Sequence, residues 1–431
     1  MHFIKIIFFA LMLFITTPIY CYSFQPINAQ WILMDNQNSN IPNETINDIT
    51  QDNNGDIWIA TYNGFAKYLG NYQWQVFHHP QVTSGDVCLE IIAQDSIIWV
   101  ATVNGLIRYC NGQINVFDPN NSTLGAFYIY SLAVEGNILW VGTGDYGVYR
   151  FDGTQFLNYT YTNTGNMPLG NIWSIAIDQS GTKWFACRDA RQPNLLGAIV
   201  TFDNSNWLLF DTSNSNLQIH PNTITIDSDD KKWTTSHYQN LVSYDNTSWV
   251  VYDSTIAGRN TSGYSETAFD SGNNKWFTTI GGLCKYDGMI WSFFDSTNVP
   301  FQSQINASWS IFVDSYNNKW IGTSGGNGLL IYNENDVHLI STEDVISRSF
   351  IKMDCYSHGV STIIKVNSNI SSICKIIISD INGKLIQQVF SGTIKPGNNI
   401  FEYNHTISPG SYICTLRDKD HQLSKLFIRI E

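Results

Sequence analysis

Tryptophan recurs through this 431-residue chain at Trp58, Trp99, Trp140, Trp184, Trp233, Trp276 and Trp320. The intervals are 41, 41, 44, 49, 43 and 44 residues. Such a period belongs to arrays of small supersecondary units, each unable to bury its apolar surface alone. The register extends beyond tryptophan. Six residues earlier stands an aspartate in five copies, Asp52, Asp178, Asp227, Asp270 and Asp314. Three after that aspartate comes Gly55, Gly181, Asp230, Asn273 or Asn317, residue types that accept a left-handed turn. Three after the tryptophan the residue is always small: Thr61, Thr102, Thr143, Cys187, Ser236, Thr279 or Thr323. An aromatic follows at Tyr68, Tyr109, Phe151, Phe202, Tyr244, Tyr286 and Tyr332. About five residues later an apolar residue opens one more strand (Trp74, Ile114, Phe156, Trp207, Trp249, Trp291, Val337).

One copy therefore reads as four short strands. An Asp-x-x-Gly hairpin joins the first to the second, which carries the tryptophan. A turn such as Asp152-Gly153 or Asp287-Gly288 leads to the fourth. A lone four-stranded sheet exposes both faces; seven packed radially let each tryptophan cover the neighbouring sheet. A buried indole removes about 150–250 Å² from water, worth roughly 4–6 kcal/mol as an upper bound. The pattern predicts an all-β chain, with a seven-bladed β-propeller over 24–345 and structural tryptophans. The fourth-strand pattern also occurs at Trp31–Met34, before the first copy. That surplus strand is expected to complete the last blade and close the ring, in competition with Asp336–Ile340.

Charged residues are only 14% and aromatics a full 14%, a bias toward β-structure with polar turns. The net charge of −13 repels phosphate backbones and argues against nucleic-acid binding. At the start, Lys5 precedes ten apolar residues, Ile6–Ile15, and Cys21-Tyr22-Ser23 offers small residues to a signal peptidase. Residues 1–23 are expected to be a signal peptide. No later segment is long and apolar enough to span a bilayer as a helix. Seven cysteines follow Cys21, an odd number with no CxxC pair. They read as buried thiols on strands, with Cys374 and Cys414 the one pair worth testing for a bridge.

Two stretches, Asp52-Asn-Asn-Gly-Asp-Ile-Trp-Ile-Ala-Thr61 and Asp314-Ser-Tyr-Asn-Asn-Lys-Trp-Ile-Gly-Thr323, resemble the two-component regulator propeller repeat. The resemblance covers about 31–340 and implies a sensor-type propeller of the kind found in hybrid histidine kinases. After Glu343 the period stops. Residues 346–431 read as short strands of a small immunoglobulin-like β-sandwich. Within them Asp380, Asn382 and Gly383, followed by Pro409, Gly410 and Tyr412, resemble the type A C-terminal sorting domain of cargo of the type IX secretion system of Bacteroidota. The usual Pro-Asn-Pro at the domain start is absent, Met353-Asp-Cys-Tyr-Ser standing there. This resemblance implies delivery to the cell surface or medium, with the secretion machinery as partner through 346–431.

Several literal motif matches carry no chemistry in their context. Gly142-Thr-Gly-Asp-Tyr-Gly147 has the GxGxxG form, yet a strand follows where dinucleotide binding needs a helix. Gly322-Thr-Ser-Gly-Gly326 has the GxSxG form, but no strand-to-helix elbow surrounds Ser324. Asp52–Asp56 and Asp227–Asp230 lack the distal glutamate of a calcium loop, and His78-His79 reads as an exposed strand end. No catalytic residue, metal site or cofactor is expected. Ligands should bind on the face of the second-to-third and fourth-to-first strand loops, with Tyr62, Tyr146, Arg188, Arg191, His237 and Tyr238 as candidates. Asn63 and Asp145 lie there too. Arg188 and Arg191 could clamp a carboxylate or an acidic sugar. The expectation is an exported, monomeric, non-catalytic propeller that binds a glycan or a protein. The alternatives are a propeller lyase or hydrolase, for which no His/Glu set is found, and a stand-alone sensor.

Overall fold

A computed structural model of the chain describes residues 30–80, 86–144, 146–165, 170–188, 197–215, 217, 220–236, 241–253, 263–306, 308–335, 337, 339, 351–358, 361–368, 372–381, 384–395, 397–404, 410–417 and 422–429. The expected signal peptide lies outside them. The chain divides into two compact units, one ending at Leu339 and the other beginning at Ile340.

The first unit consists of seven four-stranded antiparallel sheets. Six are consecutive in sequence. In the first, Ile46–Gln51 pairs with Ile57–Thr61, then Gly64–Gly70, then Gln73–Phe77. The seventh joins Ser308–Val313, Lys319–Thr323 and Leu329–Asn333 to the N-terminal strand Gln30–Met34. Trp31 lies opposite Tyr332 and stacks on it at 4.4 Å between centroids. The expected closure is thus made by the N-terminal strand. Val337 and Leu339, from the competing segment, pack instead against the core that holds Met34 and Trp320.

The innermost strands contact one another in sequence order, from Ile46–Gln51 through Cys88–Gln94, Ile129–Glu135, Asn171–Ile177, Thr223–Ile226 and Tyr264–Phe269 to Ser308–Val313. The last of these touches the first, so the ring is closed. The tryptophans lie in the second strands and are at most 5% exposed. Each packs on the following sheet: Trp58 joins Cys88, Ile91 and Val100, and Trp320 joins Ile46, Ile49 and Ile59. The left-handed turn positions are those expected, with φ of 80° at Gly55, 63° at Asp230, 57° at Asn273 and 64° at Asn317.

The second unit has a three-stranded sheet (Ile351–His358, Ser361–Ser368, Gly397–Asn404) and a four-stranded sheet (Leu385–Ile394, Ser372–Asp380, Gly410–Arg417, Gln422–Arg429). Met353, Ile364 and Val366 of one share a core with Ile376, Ile378 and Leu416 of the other. The strand Ile351–His358 escapes the sequence reading, since Asp354 and Ser357 blur its alternation. All seven described cysteines are thiols. Cys374 and Cys414 are not a pair: Cys414 stands opposite Ile378, four residues along the strand from Cys374. At about 3.3 Å per residue that separation exceeds disulfide reach. Cys414 instead lies 3.7 Å from the sulfur of Met353.

Candidate functional site

The hairpin aspartates do more than turn the chain. Asp270 Oδ1 accepts the backbone N–H groups of Gly272 and Asn274, while Oδ2 accepts the indole N–H of Trp276 at 2.9 Å. The same double use recurs at Asp52, Asp178, Asp227 and Asp314. In the two copies without aspartate the turn is one residue shorter, and Gln94 and Glu135 take the indoles of Trp99 and Trp140. These geometries account for the calcium-like stretches as indole-binding turns. His79 differs from expectation: it is 3% exposed, and Asp86 accepts its backbone N–H at 2.7 Å.

The innermost strands carry a second repeated device that the sequence reading misses. In five blades one extra residue interrupts the pairing with the second strand, for example between Ile46 and Asp48 and between Ile172 and Ser174. A wider irregularity, between Tyr264 and Thr267, does the same in the sixth blade. A bulge re-aims a side chain out of the sheet. The re-aimed residues Asn47, Leu89, Tyr130, Trp173, Ser265 and Trp309, with Asn222 from the fifth blade, line one cavity of about 230 Å³ on the ring axis. Tyr130 and Trp173 stack there at 4.7 Å, and Trp309 is 39% exposed. The side-chain nitrogen of Asn222 is buried with no hydrogen-bond partner.

Beside each re-aimed residue the next side chain ties its blade to the following one. Asp48 accepts the N–H of Ile91, and Glu90 that of Leu132. Ser131 donates to the carbonyl of Ile172, and Ser174 accepts the N–H of Ile224. Thr235, bonded to Thr223, donates to the carbonyl of Ser265. Glu266 accepts the N–H of Ile311, and Ser310 donates to the carbonyl of Ile46, which closes the circle. This ring explains the glycines of the discarded motifs. A Cβ on Gly142 would stand 2.1 Å from Ser131 Oγ, and one on Gly322 the same distance from Ser310 Oγ.

Asp48, Glu90 and Glu266 form the acidic part of the cavity wall, recessed below the rim yet reachable from it. Burial pushes Asp48 up to about 7, against the N–H bonds from Ile91 and Ile49. Burial, and then the neighbouring Asp48, hold Glu90 and Glu266 well above the usual carboxylate range. Three carboxyls so close cannot all ionise cheaply. Their raised values favour the protonated form, in which a carboxyl can donate as well as accept a hydrogen bond.

The cavity opens where the first strands begin, the face with the fourth-to-first and second-to-third strand loops. Tyr62 lines it and is 51% exposed. Tyr146, 53% exposed, is not among its lining residues. Arg188 ends the strand Lys183–Arg188, and its side chain lies outside the described residues, as do Arg191, His237 and Tyr238. In the second unit Asp380 accepts the N–H of Lys384 at 2.9 Å, and Tyr412 lies opposite it in the sheet. Gly410 opens the strand Gly410–Arg417; Asn382, Gly383 and Pro409 lie outside the described residues. Among the described residues no helix is long and apolar enough to cross a membrane.

Residues 40–63 match the family described as two component regulator propeller. A sequence search among curated proteins finds no match. Among solved structures, the extracellular domain of a B. thetaiotaomicron protein described as a hybrid two component system is 17% identical, with a TM-score of 0.57 over 93% of this chain and 57% of that one. PorZ, a surface component of the type-IX secretion system of Porphyromonas gingivalis, is 15% identical, with a TM-score of 0.54 over 90% and 60%. Virginiamycin B lyase from Staphylococcus aureus is 14% identical, with a TM-score of 0.55 over 71% and 98%. The chain spans less than two thirds of the first two. At these identities the likeness is one of fold, a β-propeller in which one repeat matches the two component regulator propellers.

Proposed function

We propose that this chain is an exported binding propeller whose axial cavity takes a glycan. The ring of bulge residues carries this reading. A bulge in six of seven inner strands places Tyr130, Trp173 and Trp309 about one axis, where flat aromatic faces can pack against a sugar ring. The recessed carboxyls of Asp48, Glu90 and Glu266 and the unpaired amide nitrogen of Asn222 offer hydrogen-bond partners for hydroxyls. Few polar groups set in an apolar wall are the usual make-up of a small-ligand site.

Binding without turnover is supported by the engagement of the same carboxyls: both oxygens of Asp48 accept backbone N–H groups, which leaves it a poor general base. Delivery by the type IX system is supported by the resemblance of residues 346–431 to the type A sorting domain. A glycan array of the full chain, followed by calorimetry with the best hit, tests the function. Trp173→Ala and Trp309→Ala should each weaken binding at least tenfold while the β-sheet circular dichroism stays unchanged, and the oligosaccharide should be recovered intact. An array without hits, or variants that bind as the wild type does, refutes the reading.

A further inference from the structure

The interfaces between blades are not equivalent, and one of those without a lysine carries a second site. In the fourth to seventh blades the residue before the tryptophan is a lysine: Lys183, Lys232, Lys275 and Lys319. Each reaches back over the tryptophan of the preceding blade, at 5.3 Å for Lys183 and Trp140 and 4.8 Å for Lys319 and Trp276. Each also meets an acidic group: Lys183 pairs with Glu135, Lys232 with Asp178, Lys275 with Asp227 and Lys319 with Glu334. The space above those indoles is filled and its charge balanced.

Between the second and third blades Leu139 takes the lysine position. There a cavity of about 680 Å³ opens, lined by Arg108, Asn115, Phe117, Asn137 and Phe151 beside Trp99. The cation over Trp99 comes from its own blade: the guanidinium carbon of Arg108 lies 5.9 Å from the ring. In the first blade the residue in the same register, Lys67, is paired with Asp56 at 2.6 Å. The residue matching Asp56 in the second blade is Ile97. Arg108 has therefore lost its partner, and among the described residues no hydrogen bond or ion pair replaces it.

We infer that this inter-blade cavity binds a small ligand bearing a single carboxylate, held by the guanidinium of Arg108. A planar guanidinium presents paired donors that match a carboxylate, and a partly desolvated cation without a counter-ion gains most from one. Phe117 and Phe151 supply apolar walls for the body of the ligand. Two more carboxylates face the cavity, from Asp95 and Asp152. Asp152 turns one oxygen to Thr154 and Gln155, and Asp95 is exposed on its turn. Their charge disfavours phosphate, sulfate and dicarboxylates and leaves room for one negative group on an uncharged body. The site is remote from the axial cavity and does not depend on it.

Calorimetry of the full chain with glucuronate and with N-acetylphenylalanine tests the inference and separates a sugar source from a peptide-like one. Glucose and N-acetylphenylalanine amide serve as neutral counterparts. At least one acid should bind tenfold or more tightly than its counterpart. Arg108→Gln should erase that difference, whereas Trp173→Ala should leave it intact. Leu139→Lys should also erase it, by supplying the cation that fills four of the other interfaces. Equal binding of acid and counterpart, no binding of either acid, or an unchanged preference in Arg108→Gln overturns the proposal.

Discussion

Each hairpin aspartate serves a turn and an indole with one carboxylate, so its loss costs more than a turn. Asp270, 8% exposed, is one of three such buried aspartates, with Asp227 and Asp314. Burial raises its carboxyl, but hydrogen bonds from Trp276 and Asn274 and the charge of Lys319 outweigh this and leave it below the usual range. Removing it strands a buried indole N–H and two amides, at roughly 1–3 kcal/mol each. Asp270→Ala should therefore destabilise the propeller by about 3–5 kcal/mol in urea unfolding at pH 7. Asp152→Ala, on an exposed outer turn, should cost far less; equal costs would show that the indole bond contributes nothing. The aspartates and tryptophans were legible because repetition displays them. The buried lysines were not: lysine is ordinarily a surface residue, and nothing in Lys183 or Lys319 alone says that a neighbouring blade's tryptophan lies beneath it.

Among the elements, the innermost strand differs most from its sequence reading. Its alternation was visible, as in Ile172–Ile177, yet the extra residue that turns Trp173 toward the axis was not. A bulge is defined by pairing with the second strand, and the positions it re-aims (Asn47, Leu89, Tyr130, Trp173, Ser265, Trp309) have no one residue type in common. The one available signal was their variety within an otherwise constrained register. The neighbouring acids make a prediction with a definite sign. Their folded-state values lie above those of the unfolded chain. They contribute stability fully below about pH 4, and it is lost as the pH rises through the folded values, about 7 for Asp48. The combined variant Asp48→Asn, Glu90→Gln, Glu266→Gln keeps one acceptor oxygen at each position for the N–H of the following blade, without the charge. Its melting temperature should exceed that of the wild type at pH 8, and the two should converge toward pH 4.5. A wild-type curve flat from pH 5 to 8 would remove the basis for this expectation.

For the whole molecule the decisive quantity is the number of sheets that close the circle, and seven tryptophans at a steady period were enough to read it. What they left open was which strand finishes the seventh blade, because Trp31–Met34 and Asp336–Ile340 carry similar patterns. Packing decides between them: Met34 is fully buried, and Trp31 lies between Phe294 of the sixth blade and Tyr332 of the seventh. The closing strand therefore bonds to one blade through its backbone and touches a second through its side chains. Without it Leu329–Asn333 becomes an open edge, free to pair with other chains. A chain beginning at Asp35 should melt on the order of 10 °C below one beginning at Phe24, given about 1.5–3 kcal/mol for each large apolar side chain lost from the interface. It should also self-associate, and a synthetic peptide of residues 28–36 added in excess should reverse that association and restore most of the melting temperature. An unchanged melting temperature in the shortened chain would mean that another segment can close the ring, with 336–340 the first candidate to truncate next.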